Sequence, residues 1–453
     1  MNHSVPGADR RIPVLLPAAA RRSLAIYNLL FPVFFLFLLP GYLVRMFRRG
    51  GYRGKFLQRL GMYCAADRQE LQQGGWTWIH SISVGETLLA LKVAREIRRV
   101  EPHRRIFLSV TTSTGYAVAA PAAGEWLAVI YNPLDLRSIV RRALALVQPS
   151  DLIFIEAIWP NLLAEAKKQG ITTGFIPRLS PRSERRFGKV AWLVAPIFGL
   201  LDRVAAAEPA DLPRWQSLGV PAERITVTGN SKFDSAAAGE SRAEEFQKLL
   251  AGAGVSPGAP VLLGGSTFPG EELILAELYL QLRTNFPGLL LIVVPRHAER
   301  ADEIVRELRA VDLQIVRRTA LGDATGFVQN AKAPDVLLID STGELRDWYQ
   351  LATVVFIGKS LTATGGQNPV EPVLAGKPVI FGPNMQNFEP IVSQWLSADA
   401  ALRVSDAEEL KQAVQALLAD PSRRTAIAER ARAIALAHEG ATYRTVQVLL
   451  GRA

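Results

Sequence analysis

From residue 76 onward, short apolar runs alternate with longer helical patterns, and this alternation constrains the fold more than any other feature. WTWIHSI is followed by TLLALKVAREIRRV, RIFLSVT by a helix from about Gly115, WLAVIYN by LRSIVRRALALV, and DLIFIE by NLLAEAKKQ; TTGFIP closes the series. Strands separated by helices pair in parallel through right-handed crossovers. After a Gly/Ala-rich stretch around 235–259 the pattern restarts with PVLLGGS, LLLIVVP, LQIVRR, VLLID, TVVFIG, KPVIFG and ALRVS. The expectation is an α/β chain of two Rossmann-like domains facing a cleft, at 61–234 and 235–453, joined by a linker. Ligands bind such sheets at the carboxyl ends of the strands, so the loops there are the places to look.

Residues 1–60 form a basic N-terminus with an apolar segment at 24–44. Between Arg22 and Arg45 no residue is charged, and about 21 helical residues reach roughly 31 Å, close to a hydrocarbon core. A segment apolar all round predicts a retained membrane anchor, and Pro32, Pro40 and Gly41 allow it to bend or insert shallowly. The net charge is +10, yet residues 1–60 hold ten basic side chains against Asp9 alone, so the remaining chain is nearly neutral. That collar suits anionic headgroups, and the excess after the segment favours a cytoplasmic body. Aromatic residues are not interleaved with the basic ones as a nucleic-acid groove requires. The single Cys64 excludes a disulfide framework and a cysteine zinc site.

Four loops follow strands. In HSISVGET, Ser83 and Glu86 have capping-box spacing at a helix start, with Gly85 between them. Glu86 reads equally as a cap or as a general base for an incoming hydroxyl. In GKSLTATGGQNPVEPVLAG, Asn368 as N-cap, Pro369 at N1, Glu371 at N3 and Gly376 at the end describe a short helix. Gly365 and Gly366 before it predict free backbone N–H groups for a phosphate. Arg296 in VVPRHAER follows a buried strand and suits an anion. Ser266 and Thr267 in GGSTFPGEE offer hydroxyls at a helix start. RLSPRSERRFGK, rich in arginine, reads as either a solvated face or a site for an anionic headgroup. The chain contains no Asp-x-Asp pair, no histidine set with metal-ligand spacing, no GxGxxG fingerprint and no G-x-S-x-G elbow.

YRGKFLQRLGMY, HSISVGET, VTTSTGYA, YNPLDL, IWPNLL, RLSPRS, VTGNSKFD, GSTFPGEE, VPRHAER, STGEL and GKSLTATGGQNPVEP, in this order, resemble the bacterial 3-deoxy-D-manno-octulosonic acid (Kdo) transferases of lipopolysaccharide assembly. The resemblance runs from about Tyr52 to the C-terminus. It implies a GT-B fold with an N-terminal acceptor domain and a C-terminal domain binding CMP-Kdo, without a cofactor or metal. It further implies inverting transfer to a lipid A precursor at the cytoplasmic face of the inner membrane. By position, Glu86 matches the family's base. Ser266, Thr267, Arg296, Ser360, Gly365, Gly366, Asn368 and Glu371 fall on donor-side motifs, and Lys232 lies near the hinge. Ser83, Gly85, Arg178, Arg182 and Ser183 fall on acceptor-side motifs.

The chain also departs from the family pattern. Where the family carries two glutamates in E-x-E-x-WPN, this chain has Ile155 and Ala157 with Glu156 between them, so the second carboxylate stays open. Phe268 and Gln367 replace family histidines, and Ile176-Pro177 replaces Asn-Ala. These changes allow a divergent branch with an altered acceptor or a related octulosonic or nonulosonic sugar. Another nucleotide sugar, or a membrane-anchored descendant that only binds nucleotide, are the alternatives.

Overall fold

A computed structural model describes residues 14–49, 55–72, 74–179, 181–231, 234, 242–309, 311–321 and 333–452. It divides into two compact units, 1–234 with 440–453, and 235–439. Each unit is built on one seven-stranded sheet.

In the first unit the strands are β1 (Trp76–Ser81), β2 (Arg105–Val110), β3 (Leu127–Tyr131), β4 (Asp151–Ile155), β5 (Thr172–Ile176), β6 (Arg203–Ala206) and β7 (Ile225–Val227). Their order is β3-β2-β1-β4-β5-β6-β7, and every pairing is parallel. The doubly wound order reverses between β1 and β4, which makes that pair the switch point. Side chains alternate across the sheet: Trp76, Trp78, Leu152 and Phe154 enter one apolar cluster, while Ile79, Ile153 and Ile155 enter the other. Strands covered on both faces therefore read as continuous apolar runs. Strands β6 and β7 extend the series beyond the expected close at residue 177. One is a short run ending in alanines and the other is three residues at the sheet edge, so neither makes a long apolar run.

The second unit carries β8 (Val261–Thr267), β9 (Leu290–Pro295), β10 (Ile315–Arg317), β11 (Val336–Leu338), β12 (Val354–Ile357), β13 (Val379–Phe381) and β14 (Leu402–Arg403). Their order is β10-β11-β9-β8-β12-β13-β14, again parallel throughout. Here the switch point lies between β8 and β12. The stretch read as a linker at 235–259 includes a helix, Ala243–Gly252, whose Phe246 stacks on Trp348 with ring centroids 4.5 Å apart.

Two expectations are corrected by packing. Residues 440–453, placed by sequence in the second domain, belong to the first unit. The Asp234 carboxylate accepts from the Gly440 and Thr442 amides at 2.9 and 2.8 Å, and Leu449 is buried against the β1/β4 core. The apolar segment is not lipid-facing all round. It forms an uninterrupted helix, Ala18–Arg49, running through Pro32 and Pro40. Ser23 and Leu24 are buried against the unit, Tyr27 donates to Asp135 at 2.9 Å, and Asn28 and Asn161 exchange amide hydrogen bonds. Its other face exposes Leu29, Leu30, Val33, Phe34 and Phe37. The portion Ala18–Phe37 is long and apolar enough to cross a membrane by length and composition.

Candidate active site

The helix Val84–Val100 starts at the carboxyl end of β1. Ser83 is its N-cap: its hydroxyl accepts from the Glu86 amide at 3.3 Å, and the Glu86 carboxylate accepts from the Ile82 amide at 2.8 Å. Glu86 therefore does cap, though one residue further out than a regular capping box requires. Capping uses one carboxylate oxygen and leaves lone pairs on the group. Glu86 is 8% exposed, and burial pushes its carboxyl above the ordinary range; the Ile82 hydrogen bond opposes this and the Glu156 charge adds to it. At Gly85 an added Cβ would meet nothing within 4 Å, so packing does not demand glycine there and the backbone stays open to approach.

Glu156 follows β4, the other switch-point strand. Its φ of 57° is left-handed, costly for a side chain with a Cβ, and turns its carboxylate off the strand line. Arg178, at the end of β5, lies 3.5 Å from it. Glu156, whose charge is felt at Glu86, lies one residue from either position of the family pattern. Ser183 is half-buried on the helix Pro181–Lys189, whose Glu184 pairs with Arg214. The Arg182 side chain and Lys232 lie outside the described residues.

In the second unit the loops after β8 and β12 meet at their switch point. Sequence reasoning missed the residue that joins them. Glu271 is fully buried, and its carboxylate accepts from the backbone amides of Phe268, Lys359, Ser360 and Leu361 at 2.7–3.1 Å. Ser266 and Lys359 are held at φ of 55° and 57° in these loops. The only signal was a glutamate in the first turn of a helix, which looks like any cap.

Several donor-side expectations change accordingly. Ser360 is buried, with its hydroxyl donating to the Ile357 carbonyl and accepting from the Gly382 amide at 2.8 Å, so it fastens β12 to β13. Thr267 is buried and donates to Glu272 at 2.9 Å rather than offering a free hydroxyl. Ser266 sits half-buried at a bulge in β8. The Gly365 and Gly366 amides, expected to be free, donate to the Gln386 side chain at 2.8 Å and the Lys359 carbonyl at 3.1 Å. Close packing explains the glycines instead: a Cβ would come within 2.7 Å of Asn387 or 2.4 Å of Met385. The short helix is Val370–Leu374 with Pro369 at its N-cap position, which puts Glu371 second rather than third. Asn368 still closes the turn, accepting from the Val370 amide at 3.0 Å and donating to Glu371 at 2.9 Å. Burial raises the Glu371 carboxyl. Arg296 is exposed at the carboxyl end of β9 and pairs with no carboxylate among the described residues. Phe268 lies between Lys359, whose ammonium is 5.0 Å from the ring centre, and the His297 ring at 6.3 Å. Among the described residues no three His, Cys, Asp or Glu side chains gather as a metal site would need.

Comparison with known proteins agrees with this geometry. A family model described as 3-deoxy-D-manno-octulosonic-acid transferase (kdotransferase) matches residues 54–235. A 3-deoxy-D-manno-octulosonic acid transferase of Bordetella pertussis is 36% identical over 82% of this chain and 86% of its own. One from Haemophilus influenzae is 30% identical over 88% of this chain and 91% of its own. The solved UDP-GlcNAc 2-epimerase of Neisseria meningitidis, 13% identical with a TM-score of 0.52 over 83% of this chain and all of that one, shares the fold alone. The two doubly wound parallel sheets are those of the GT-B architecture.

Proposed function

The chain belongs to the 3-deoxy-D-manno-octulosonic acid transferase family of glycosyltransferases, and from that premise we propose inverting, metal-independent transfer of Kdo from CMP-Kdo to a lipid A precursor. The observation that carries the reading is the pair formed by Glu86, in the first turn of the helix after β1, and Glu156, directly after β4, with Glu86 desolvated and in no ion pair among the described residues. Glu86 takes the proton from an acceptor hydroxyl, a glucosamine 6-hydroxyl in a lipid A precursor. That oxygen bonds to the anomeric carbon of Kdo from the face opposite CMP, and the bond from that carbon to the phosphate oxygen breaks. Glu86 leaves with the proton and CMP with the electron pair. A carboxyl raised by burial is closer to a working base than an ordinary glutamate.

The second unit holds the donor in this reading. Exposed Arg296, with no carboxylate partner among the described residues, meets the donor's negative charge, while Asn368 and Glu371 present polar groups at the β12 loop. Glu271, Ser360 and the two glycines position that loop without touching the ligand. The helix Ala18–Arg49, with the basic collar beside it, anchors the body at the cytoplasmic face of the inner membrane. Phe268, an aromatic where related chains carry histidine, favours as a second reading a related octulosonic or nonulosonic sugar.

The test is transfer by detergent-solubilised protein from CMP-Kdo, generated in situ, to a tetra-acylated lipid A precursor, with products read by mass and a chelator present. We expect addition of Kdo, reduced by about 10²–10⁴-fold in Glu86→Gln. The amide can still accept from the Ile82 N–H, so the unfolding midpoint should hardly move. A Glu86→Gln enzyme of unchanged rate removes Glu86 as the base, and loss of activity in chelator removes metal independence.

A further inference from the structure

The first unit contains a cavity of about 260 Å³ that reaches Glu156. Glu156 and Arg178 form its polar end. The rest is mostly apolar: Phe187, Val194, Phe198 and Trp215 line it, and the N-terminal helix closes one side with Ser23 and Tyr27. The aromatic walls brace one another edge to face, Phe187 on Phe198 at 5.4 Å and Phe198 on Trp215 at 5.6 Å. Tyr27 is held by its hydrogen bond to buried Asp135. Protein interiors normally close around apolar side chains, because a void forfeits their dispersion contacts. A braced apolar space of this size therefore fits an apolar occupant. Its charged groups lie at one end only, so the occupant is an amphiphile with a polar group at Glu156 and Arg178 and hydrocarbon inside.

We propose that this cavity binds one acyl chain of the acceptor whose hydroxyl is presented to Glu86. The proposal rests on the lipid-acceptor reading above. The exposed face of the N-terminal helix, with Leu29, Leu30, Val33, Phe34 and Phe37, extends the apolar surface from the turn after Tyr27. A chain can thus pass from a hydrocarbon layer into the cavity with little exposure to water. Placing it there sets the sugar's position at the carboxylates, so the lipid part of the acceptor contributes to orienting the reacting hydroxyl.

Two variants and two measurements test this. Val194→Phe fills the cavity and Val194→Ala widens it. Transfer is measured in micelles of fixed composition with an acylated lipid A precursor and with its deacylated disaccharide. Each buried methylene contributes about fourfold in affinity, so we expect the ratio of kcat/KM for acylated over deacylated acceptor to fall at least about tenfold in Val194→Phe. With acceptors of graded chain length, Val194→Ala should shift the preference to longer chains; opposite shifts from one position are not the signature of misfolding. An unchanged ratio in Val194→Phe overturns the proposal, and assigns any acyl preference to presentation by the micelle or to membrane lipid. If neither acceptor takes sugar, the lipid-acceptor reading fails, and binding decides the cavity separately. Titration with N-dodecanoylglucosamine below its micelle concentration should show binding to the parent protein and loss in Val194→Phe. No binding to the parent protein, or equal binding to both, overturns it.

Discussion

Both units place glutamates at the carboxyl ends of their switch-point strands, and the two sets are treated in opposite ways. In the second unit Glu271 is buried and saturated by five backbone amides from two loops. Its charge is spent on structure. In the first unit Glu86 accepts from the Ile82 amide, with a smaller contribution from Ser83, and Glu156, on left-handed backbone, adds like charge. A charge left partly unsatisfied in a desolvated place costs stability and is available to a substrate. In the proposed mechanism the same architecture therefore uses a carboxylate as a bolt in one half and as a reagent in the other.

The comparison breaks most readily at Glu271. Glu271→Ala leaves buried amides of two loops without an acceptor, and we expect a loss on the order of 3–5 kcal/mol, seen as a lower urea midpoint for the second unit. CMP binding, followed by titration calorimetry, should weaken with it because the loops after β8 and β12 are no longer joined. Glu86→Gln should do the reverse, slowing transfer by about 10²–10⁴-fold at nearly constant stability. If Glu271→Ala were harmless to the fold, its role as a bolt would be wrong.

The coupling between Glu86 and Glu156 supplies a finer test. A base acts ionised, so kcat/KM falls as pH is lowered through the Glu86 pKa, which burial and then the Glu156 charge hold above the usual range. Glu156→Gln removes a negative neighbour and so lowers that pKa. The acid limb of the pH–rate profile should move to lower pH, with the direction as the readout. An acid limb that stays in place would mean that the two carboxylates do not share one electrostatic site.

Period and spacing carried the architecture into the sequence. The alternation of short apolar runs with helical patterns and the glycine- and proline-marked loops each follow from local rules. Strands β6 and β7 escaped because alanines and a three-residue edge leave no run to detect. The return of Leu449 to the first unit escaped because such packing has no local period. Glu86 was legible as a candidate through its place after a strand. Glu271 was not, since its function lies in amides about ninety residues away. Gly365 and Gly366 were seen but misassigned: sequence shows that a backbone must come close, and not whether a ligand or Met385 and Asn387 lie against it.

The smallest effect expected separates strain from chemistry at Glu156. Its φ of 57° costs any residue with a Cβ roughly 1–2 kcal/mol. Glu156→Ala removes the carboxylate and keeps that cost; Glu156→Gly removes both, less the greater freedom glycine has when unfolded. We therefore expect Glu156→Gly to be more stable than Glu156→Ala by about 0.5–1 kcal/mol, a shift on the order of 2 °C in the first unit's melting. At an ordinary strand position the order would be the reverse. Both variants should show the same displaced acid limb, because both lack the charge. If alanine proved the more stable, the left-handed turn would be relaxed in solution and Glu156 would have no fixed aim toward Glu86. The stated order would show that the first unit retains local strain to hold a second carboxylate beside its base, the opposite of how the second unit uses Glu271.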